Sequence, residues 1–442
     1  MKITVNRNTA KGWAKFNLPL HLSLITFHFS LFTFLLSLCP LHSLAATVET
    51  DRTWYLAGEA MSISVTDDNA LIAYAELCDT QGLAAGVVVG LRGGVGRGVI
   101  ELPSNLHSGY YVLSVYTRHH AQVSHRLVAV VNALHKSADD DMKWVKADSC
   151  WATAVGTAQL VDKKNVDVRE TEGHILKARV KNVREGHTFK GSQIGASLSI
   201  IGKQIHYFEG QMVDDSTAVF YTYGIHGKLP LVLSAKSATG VSLPIELMSP
   251  FAALLPTTLP HLVFHYKRSE VEARSLTMQR HQMAIAPAKR EAQLGVTADD
   301  TAEEGVLLDY DNRAFGTLPY LSYNLDEYRQ FLTVREVLLE YVECVNNKRV
   351  NGVPRLTVHT RQTPEDSTQP TLVLIDGMPV SDVERLLNYD ARRIHYINIY
   401  DSQYTFGGGV YNGILSFVTR SGRLTNYPTE PLMQYVVYDF PQ

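Results

Sequence analysis

Between residues 46 and 133, short apolar runs (MSISV, LIAYAEL, GVVVGL, GVIEL, YYVLSVYT and HRLVAVVN) are separated by turn-forming residues. Runs of this length and spacing predict a β-sandwich over residues 46–133. The same signature returns over residues 149–267, in HILKARVKNV, ASLSIIG, TAVFYTYG, LPLVLSAKS and HLVFHY, and predicts a second sandwich. The pattern then fails. Residues 268–319 hold a basic, Gln- and Ala-rich stretch followed by the acidic TADDTAEE. Such runs make solvated linkers, here with room for a short helix.

Residues 320–442 mix two periodicities. Thr333 and Glu336 form a capping box, after which Val334, Val337, Leu338, Tyr341, Val342 and Val345 follow one helical face. Asn351-Gly352 turns the chain into the strand RLTVHTR. Ser381 and Glu384 form a second capping box for a helix that places Val383, Leu386 and Leu387 on one side. His395-Ile397-Ile399 and Ile414-Ser416-Val418 alternate as strands do. The predicted block is α+β, with two helices on a small sheet. The expected fold is therefore mainly β and multidomain: two β-sandwich domains, a linker, then an α+β domain.

The N-terminus changes the compartment. Lys2, Arg7, Lys11 and Lys15 precede an acid-free apolar run from Leu18 to Leu38, and Ser43-Leu44-Ala45 offers small residues for cleavage. Residues 1–45 are read as a signal peptide, with the mature chain beginning near Ala46. Two alternatives stay open: a retained anchor, weakened by Pro19 and His28, and a lipoprotein built on Cys39 after LLSL. No later segment is apolar and long enough to cross a bilayer.

A chain of 442 residues is long enough for three domains. Net charge is −3, which gives no bulk reason to bind nucleic acid. The 22 tyrosines, with many Val, Ile and Thr, favour β structure. Cys39, Cys78, Cys150 and Cys344 lie far apart, with no zinc or CxxC spacing, so no disulfide framework is implied.

Two segments resemble known families. DRTWYLAGE and LPSNLHSGYYVLSVYT, through Tyr55, Gly58, Glu59, Gly109, Tyr110 and Tyr111, resemble macroglobulin-type domains of the alpha-2-macroglobulin family. The segment from Thr371 to Gly422 resembles the plug domain of TonB-dependent receptors. It has an apolar strand, the Asp376-Gly377 turn, a helix, a strand, the loop Phe406-Gly407-Gly408-Gly409 and Asn412-Gly413. Plug sequences commonly have Tyr-Gly where this chain has Phe406-Gly407. Receptors follow the plug with a barrel, and here 20 residues follow Gly422. The resemblance implies an interaction module without a transport barrel. Together the two modules resemble a group of Bacteroidota envelope proteins.

Candidate chemistry is sparse. Asp376-Gly377 supplies the positive φ angles of a hairpin turn, so Asp376→Asn is expected to be tolerated and Gly377→Val is not. Gly407 to Gly409 could approach a ligand or serve as a plain loop. GLRGGVGRG, Gly90 to Gly98, lacks the Gly-Lys-Ser/Thr end of a phosphate loop and reads as a basic hairpin. His119, His120 and His125 are close in sequence, but neighbours on a strand point to opposite faces. Cys78-Asp79-Thr80-Gln81 has the bare spacing of a thioester without its flanking residues, so Cys78 is read as a buried thiol.

No catalytic, cofactor-binding or metal-ligating residue is assigned, and no cofactor or enzymatic activity is expected. The expected function is binding or scaffolding in the periplasm or at the outer membrane, with an envelope protein as partner. The alternative is a protease inhibitor or a processing factor for exported substrates.

Overall fold

Strand β1 (Thr47–Thr50), β3 (Ala60–Thr66) and β6 (Val95–Glu101) form a three-stranded sheet in the order β1-β3-β6. Facing it is a five-stranded sheet, β2-β8-β7-β4-β5, from β2 (Trp54–Leu56), β4 (Ile72–Cys78), β5 (Leu83–Gly90), β7 (Gly109–Tyr116) and β8 (Ser124–Val131). The two enclose Tyr55, Met61, Ile63, Leu77, Leu113 and Val130. β3 alternates buried and open residues because only one of its faces is covered. β4 and β7 are buried along nearly their whole length, Glu76 and Ser114 included, because both their faces are covered. This coordinate set is a computed structural model. It describes residues 46–134, 142–164, 167–184, 186–201, 205–238, 241–294, 315–350, 352–360, 369–406, 409–422, 424, 427 and 432–441. The leader, residues 1–45 with Cys39, lies outside the described residues, as do Gly407 and Gly408.

After β9 (Met142–Lys146) and β10 (Trp151–Val155) comes a second, larger sheet. It comprises β11 (Ile175–Val180), β14 (Ile194–Ile200), β15 (His206–Met212), β16 (Thr217–Tyr221), β17 (Gly227–Ser237), β18 (Ser242–Leu243) and β19 (Ile245–Leu247). Between β11 and β14 the small ribbon β12 (Val183–Arg184) and β13 (His187–Thr188) stands apart. The order in the large sheet is β18-β17-β14-β15-β16-β11-β19, around a core of Leu176, Leu198, Phe208, Phe220 and Leu233. Strand β20 (His261–Tyr266) returns to pair with β10 and, in parallel, with β9. That three-stranded sheet covers the outer face of the first sandwich, where Phe264 meets Trp54 edge-on at 4.9 Å between centroids.

The stretch from residue 268, read as a linker, opens with α1 (Arg268–Leu294), a helix of 27 residues. Its apolar positions are too few for a periodic stripe, which is why the sequence pattern conceals it. It docks through polar groups instead. Arg274 pairs with Glu59 and lies 3.6 Å from the Trp54 ring centroid, and Gln282 donates to the Gly58 carbonyl at 2.6 Å. Met278 is buried against Gly58.

The C-terminal sheet follows the order β21-β26-β27-β24-β25, from β21 (Leu321–Asn324), β24 (Leu372–Ile375), β25 (Met378–Pro379), β26 (Ile394–Phe406) and β27 (Gly409–Thr419). Helices α2 (Val334–Glu340) and α3 (Val383–Leu387) pack on it through Val334, Val337, Leu386 and Leu387. A separate hairpin, β22 (Val345–Val350) with β23 (Val353–Val358), packs alongside. The Thr333–Glu336 capping box forms as expected. The second cap falls one residue later. Asp382, not Ser381, accepts from the N–H groups of Glu384 and Arg385, at 3.1 and 3.4 Å. The Glu384 carboxylate is used elsewhere, by Arg335 and by Arg349.

The final strand departs from the block in which its sequence lies. β28 (Gln434–Phe440) pairs antiparallel with β17, from Gly227↔Phe440 to Leu233↔Gln434. It thereby joins the large sheet, and Leu247 N–H donates to Gln434 Oε1 at 2.5 Å. A period-two pattern shows that residues 434–440 are extended but carries nothing about which strand they will pair with.

Candidate functional site

Four segments distant in sequence converge on one buried cluster of ionisable groups. β4 presents Tyr74, the end of the β7 strand leads into Arg118, the approach to β11 carries Glu170 and His174, and β28 contributes Tyr438. Glu170 accepts from Tyr74 Oη at 2.7 Å, from Ile175 N–H at 2.8 Å and from His174 Nδ1 at 3.1 Å. Arg118 lies 3.3 Å from the same carboxylate, donates to the Ile175 carbonyl at 2.6 Å and stacks 4.8 Å from the Tyr74 centroid. With Nδ1–H directed at Glu170, His174 Nε2 accepts from Tyr438 Oη at 2.7 Å. Glu170 and His174 are 5 % and 3 % exposed, so the pair is screened from water.

The environment sets the charges. Burial pushes the Glu170 carboxyl up, but His174, Arg118 and the Ile175 N–H outweigh it and leave the group below its ordinary value. Burial also holds His174 below the usual imidazole range, against the pull of Glu170. Burial raises both phenols, and Glu170 adds to each. At neutral pH the cluster is an Arg118–Glu170 ion pair bridged by neutral His174 to a protonated Tyr438. The Tyr–His–Glu order has the outline of an activated nucleophile. The raised phenol opposes that use, because activation requires a lowered pKa or a base able to take the proton. The geometry acts instead as a fastening between the first sandwich, the large sheet and the C-terminal strand. A cavity of about 150 Å³ lies beside it, against His174, Thr222 and Pro441. No motif spacing links residues 74, 118, 170, 174 and 438; only the fold brings them together.

Two open clefts flank the large sheet. One, of about 810 Å³, separates β14, β15 and β17 from the C-terminal block. Glu209, Tyr207 and Lys236 stand on the sheet side, with Lys348, Arg355 and Val380 opposite. The other, of about 850 Å³, runs along β5 and β6 and is faced by Phe251 and Phe440.

The positions singled out from sequence have mostly architectural roles. Asp376 (φ +47) and Gly377 (φ +83) make the hairpin turn from β24 to β25. The Asp376 side chain is also fully buried, accepting from Thr419 N–H at 2.7 Å, Thr419 Oγ1 at 2.5 Å and Leu424 N–H at 2.7 Å. That overturns the expectation that asparagine is tolerated there, because an amide supplies one acceptor oxygen in place of two. Gly90 to Gly98 is a hairpin that carries the chain from one sheet of the first sandwich to the other, turning at Gly93 and Gly94. His119 and His120 sit in a turn rather than on a strand, with ring centroids 3.9 Å apart. His125 Nδ1 meets Ser114 Oγ at 2.9 Å. Among the described residues no group of three His, Cys, Asp or Glu side chains is placed to hold a metal ion. Asn412-Gly413 lies inside β27, beside a register shift against β26.

Cys78 is a buried free thiol on β4, pushed up to about 12 by burial, with Glu76 and Asp79 adding to the effect. A thiolate there is scarce. Maleimide should label the part-exposed Cys344 at least about 100-fold faster than Cys78 in the native protein, with Cys78 reacting on denaturation. Peptide mapping of the adducts checks this; comparable native rates would contradict it.

No protein-family model matches the chain, and no curated protein matches it. Solved structures give distant likenesses. A biofilm-associated protein BSP domain matches with 10% identity and a TM-score of 0.18, over 51% of this chain and 30% of that one. Escherichia coli alpha-2-macroglobulin in its native conformation matches with 13% identity and a TM-score of 0.19, over 48% of this chain and 15% of that one. The Yersinia pseudotuberculosis adhesin InvE matches with 13% identity and a TM-score of 0.15, over 46% of this chain and 58% of that one. The chain thus spans less than a third of the first two proteins' length.

Proposed function

We propose that this chain is an exported, non-enzymatic binding protein of the cell envelope, and that the cleft between the large sheet and the C-terminal block receives a segment of a partner protein. The observation that carries the reading is that cleft. Its volume of about 810 Å³ is open and its walls mix charged, hydroxyl and apolar side chains. Small-molecule pockets enclose most of their ligand within apolar walls, whereas an open, mixed trough suits a polypeptide. The walls come from different parts of the chain, and β28 ties them together by joining the large sheet.

The proposed domain plan is a signal peptide (1–45), a macroglobulin-like sandwich (46–133), a second sandwich (149–267), a connecting stretch (268–319) and a plug-like module (320–442). β28 lends its strand to the second of these sheets. Among the described residues no helix is long and apolar enough to cross a membrane. In this plan the chain works in the periplasm or at the outer membrane, beside an envelope protein.

Protease inhibition shares the binding step and differs in the partner. A covalent thioester trap at Cys78 is disfavoured by its burial and by the exposure of Gln81, which sits in a turn. The test is site-specific photo-crosslinking in cells, with the photoreactive residue at exposed Glu209 or Lys348 in the cleft and at exposed Glu49 as control. A discrete adduct with one envelope protein from the cleft positions, and not from position 49, is expected. An adduct with a protease would favour inhibition. Indistinguishable patterns from all three positions would sink the reading.

A further inference from the structure

We infer that the flank of the first sandwich takes up an extended, uncharged, apolar segment of a partner protein, added as a further strand to the free edge of β5. This surface is separate from the cleft beside the C-terminal block and does not depend on its role. The first ground is the edge itself. Among the described residues β5 pairs with β4 alone and ends its sheet, and β6 pairs with β3 alone and ends the facing one. Alternate N–H and C=O groups of such a strand point away from the sheet and offer a template to another chain. β5 (LAAGVVVG) has eight residues, with no charge and no proline. Elsewhere the edges carry charges, as in β1, β6, β9, β22, β23 and β28, or have four residues or fewer. The uncharged β10 has five.

The second ground is burial. β4 is buried at every position, whereas every residue of its neighbour β5 except Val89 is partly or wholly exposed. Val99 of β6, 51% exposed, lines the same trough. The sheet therefore stops with apolar surface uncovered along a whole strand.

The third ground is the shape and lining of the trough, which select the occupant. Phe251 and the end of β28, with Phe440 and Pro441, face β5 across a space of about 850 Å³. A trough with two walls admits one extended segment, whereas a second folded copy would have to bring a whole sheet to the edge. Ala85, Val87 and Val89 turn to the sandwich core, and Gly86 and Val88 turn to Phe251. A strand laid beside β5 continues both faces, so its successive side chains meet apolar surface on either side. Arg97, Glu101 and Asp439 in the lining are exposed and of mixed sign, so they favour no net charge in the segment. Main-chain pairing supplies the affinity and the apolar walls supply the selection.

The full chain can be titrated with a capped valine–threonine octapeptide carrying fluorescein on a short glycol spacer. Two comparison peptides isolate the grounds: one with glutamate at the central positions, and one of unchanged sequence with alternate backbone nitrogens methylated. The parent peptide should bind about tenfold more tightly than either, because glutamate brings charge into apolar walls and methylation removes the donors that pair with the edge. Binding should also slow hydrogen exchange of amides between Leu83 and Gly90. Val99→Lys, at an exposed position of the trough, should weaken the parent peptide by about tenfold. Val155→Lys, on the other uncharged edge, should leave it unchanged, and equal unfolding midpoints would show that both variants fold. Equal binding of the methylated peptide would reduce the site to a greasy groove and overturn the inference. So would indifference to Val99→Lys, or unaltered exchange in β5. Sedimentation gives a further check: a dimer that Val99→Lys dissociates would assign the edge to a second copy, also against the inference, whereas a monomer before and after the change agrees with it.

Discussion

Replacing Glu170 with alanine should destabilise the protein by about 3–5 kcal/mol, because it strands a buried guanidinium. The Arg118 and Glu170 side chains are 7% and 3% exposed, so solvent cannot take over the lost partner. The carboxylate also receives Tyr74, His174 and Ile175, so three donors lose their acceptor together. Since the cluster joins β4, the approach to β11 and β28, the loss should appear as an early transition in which the C-terminal strand detaches. Urea unfolding followed by tyrosine and tryptophan fluorescence measures it. In a double-mutant cycle, Arg118→Ala with Glu170→Ala should cost clearly less than the sum of the single changes. A Glu170→Ala protein within about 0.5 kcal/mol of wild type would refute the role given to this pair.

The same cluster dictates a pH dependence. His174 is held below its ordinary value, so as pH falls the unfolded chain takes up the proton first and native stability declines. That decline should begin near the unfolded imidazole value of about 6.5. Glu170 is also held low, so its contribution is present above the ordinary carboxylate range and is lost as pH drops through the native value. Both effects weaken the junction in acid. Among the described residues the titratable groups facing His174 are Tyr74, Arg118, Glu170 and Tyr438, and of these only Glu170 carries a negative charge near neutral pH. His174→Phe should therefore flatten the stability profile between about pH 6.5 and 5 and leave the steeper carboxylate limb below it.

What the residues disclose on their own is local. Short apolar runs broken by turn residues exposed most strands of the first sandwich, and at the Gly58-Glu59 pair Glu59 accepts from Leu56 N–H at 2.8 Å to close the turn. The α+β character of the C-terminal block was legible in the Thr333 cap and the Val334–Val337–Leu338 face. Three features were not. α1 docks by an Arg–Glu pair and a cation stacked on Trp54, neither of which leaves a periodic stripe. β28 obeys its pairing with β17 across about two hundred residues, and no composition or period encodes that distance. Glu170 and His174, in an unremarkable acidic stretch, acquire their chemistry only when Arg118 and Tyr438 arrive from other strands. At the cleft, Lys348 and Arg355 face each other across the β22–β23 hairpin, while Lys236 enters only through the packing of two sheets.

Gly377→Val should be among the most damaging single substitutions in the C-terminal block. At φ +83 a β-branched residue is strained, at about 1–2 kcal/mol. A Cβ would also stand 2.7 Å from Ile205 Cγ1, a buried side chain of the neighbouring sheet region, so overpacking adds about 1–3 kcal/mol. The two terms can be separated. Ile205→Ala opens the space, so Gly377→Val should cost less in that background, with the backbone strain remaining. Asp376→Asn removes one of two carboxylate oxygens shared among Thr419 N–H, Thr419 Oγ1 and Leu424 N–H, and presents an amide N–H₂ in its place. That should cost about 1–3 kcal/mol. Asp376→Ala should cost at least as much, since all three donors lose their acceptor. Thermal and urea unfolding of the protein tests the series, with photo-crosslinking from position 348 as the functional readout. A turn that only shapes the fold requires the midpoint and the crosslink yield to fall together. If Asp376→Asn abolished the crosslink while leaving the midpoint in place, the carboxylate would be a binding group and the structural role assigned to it would be wrong.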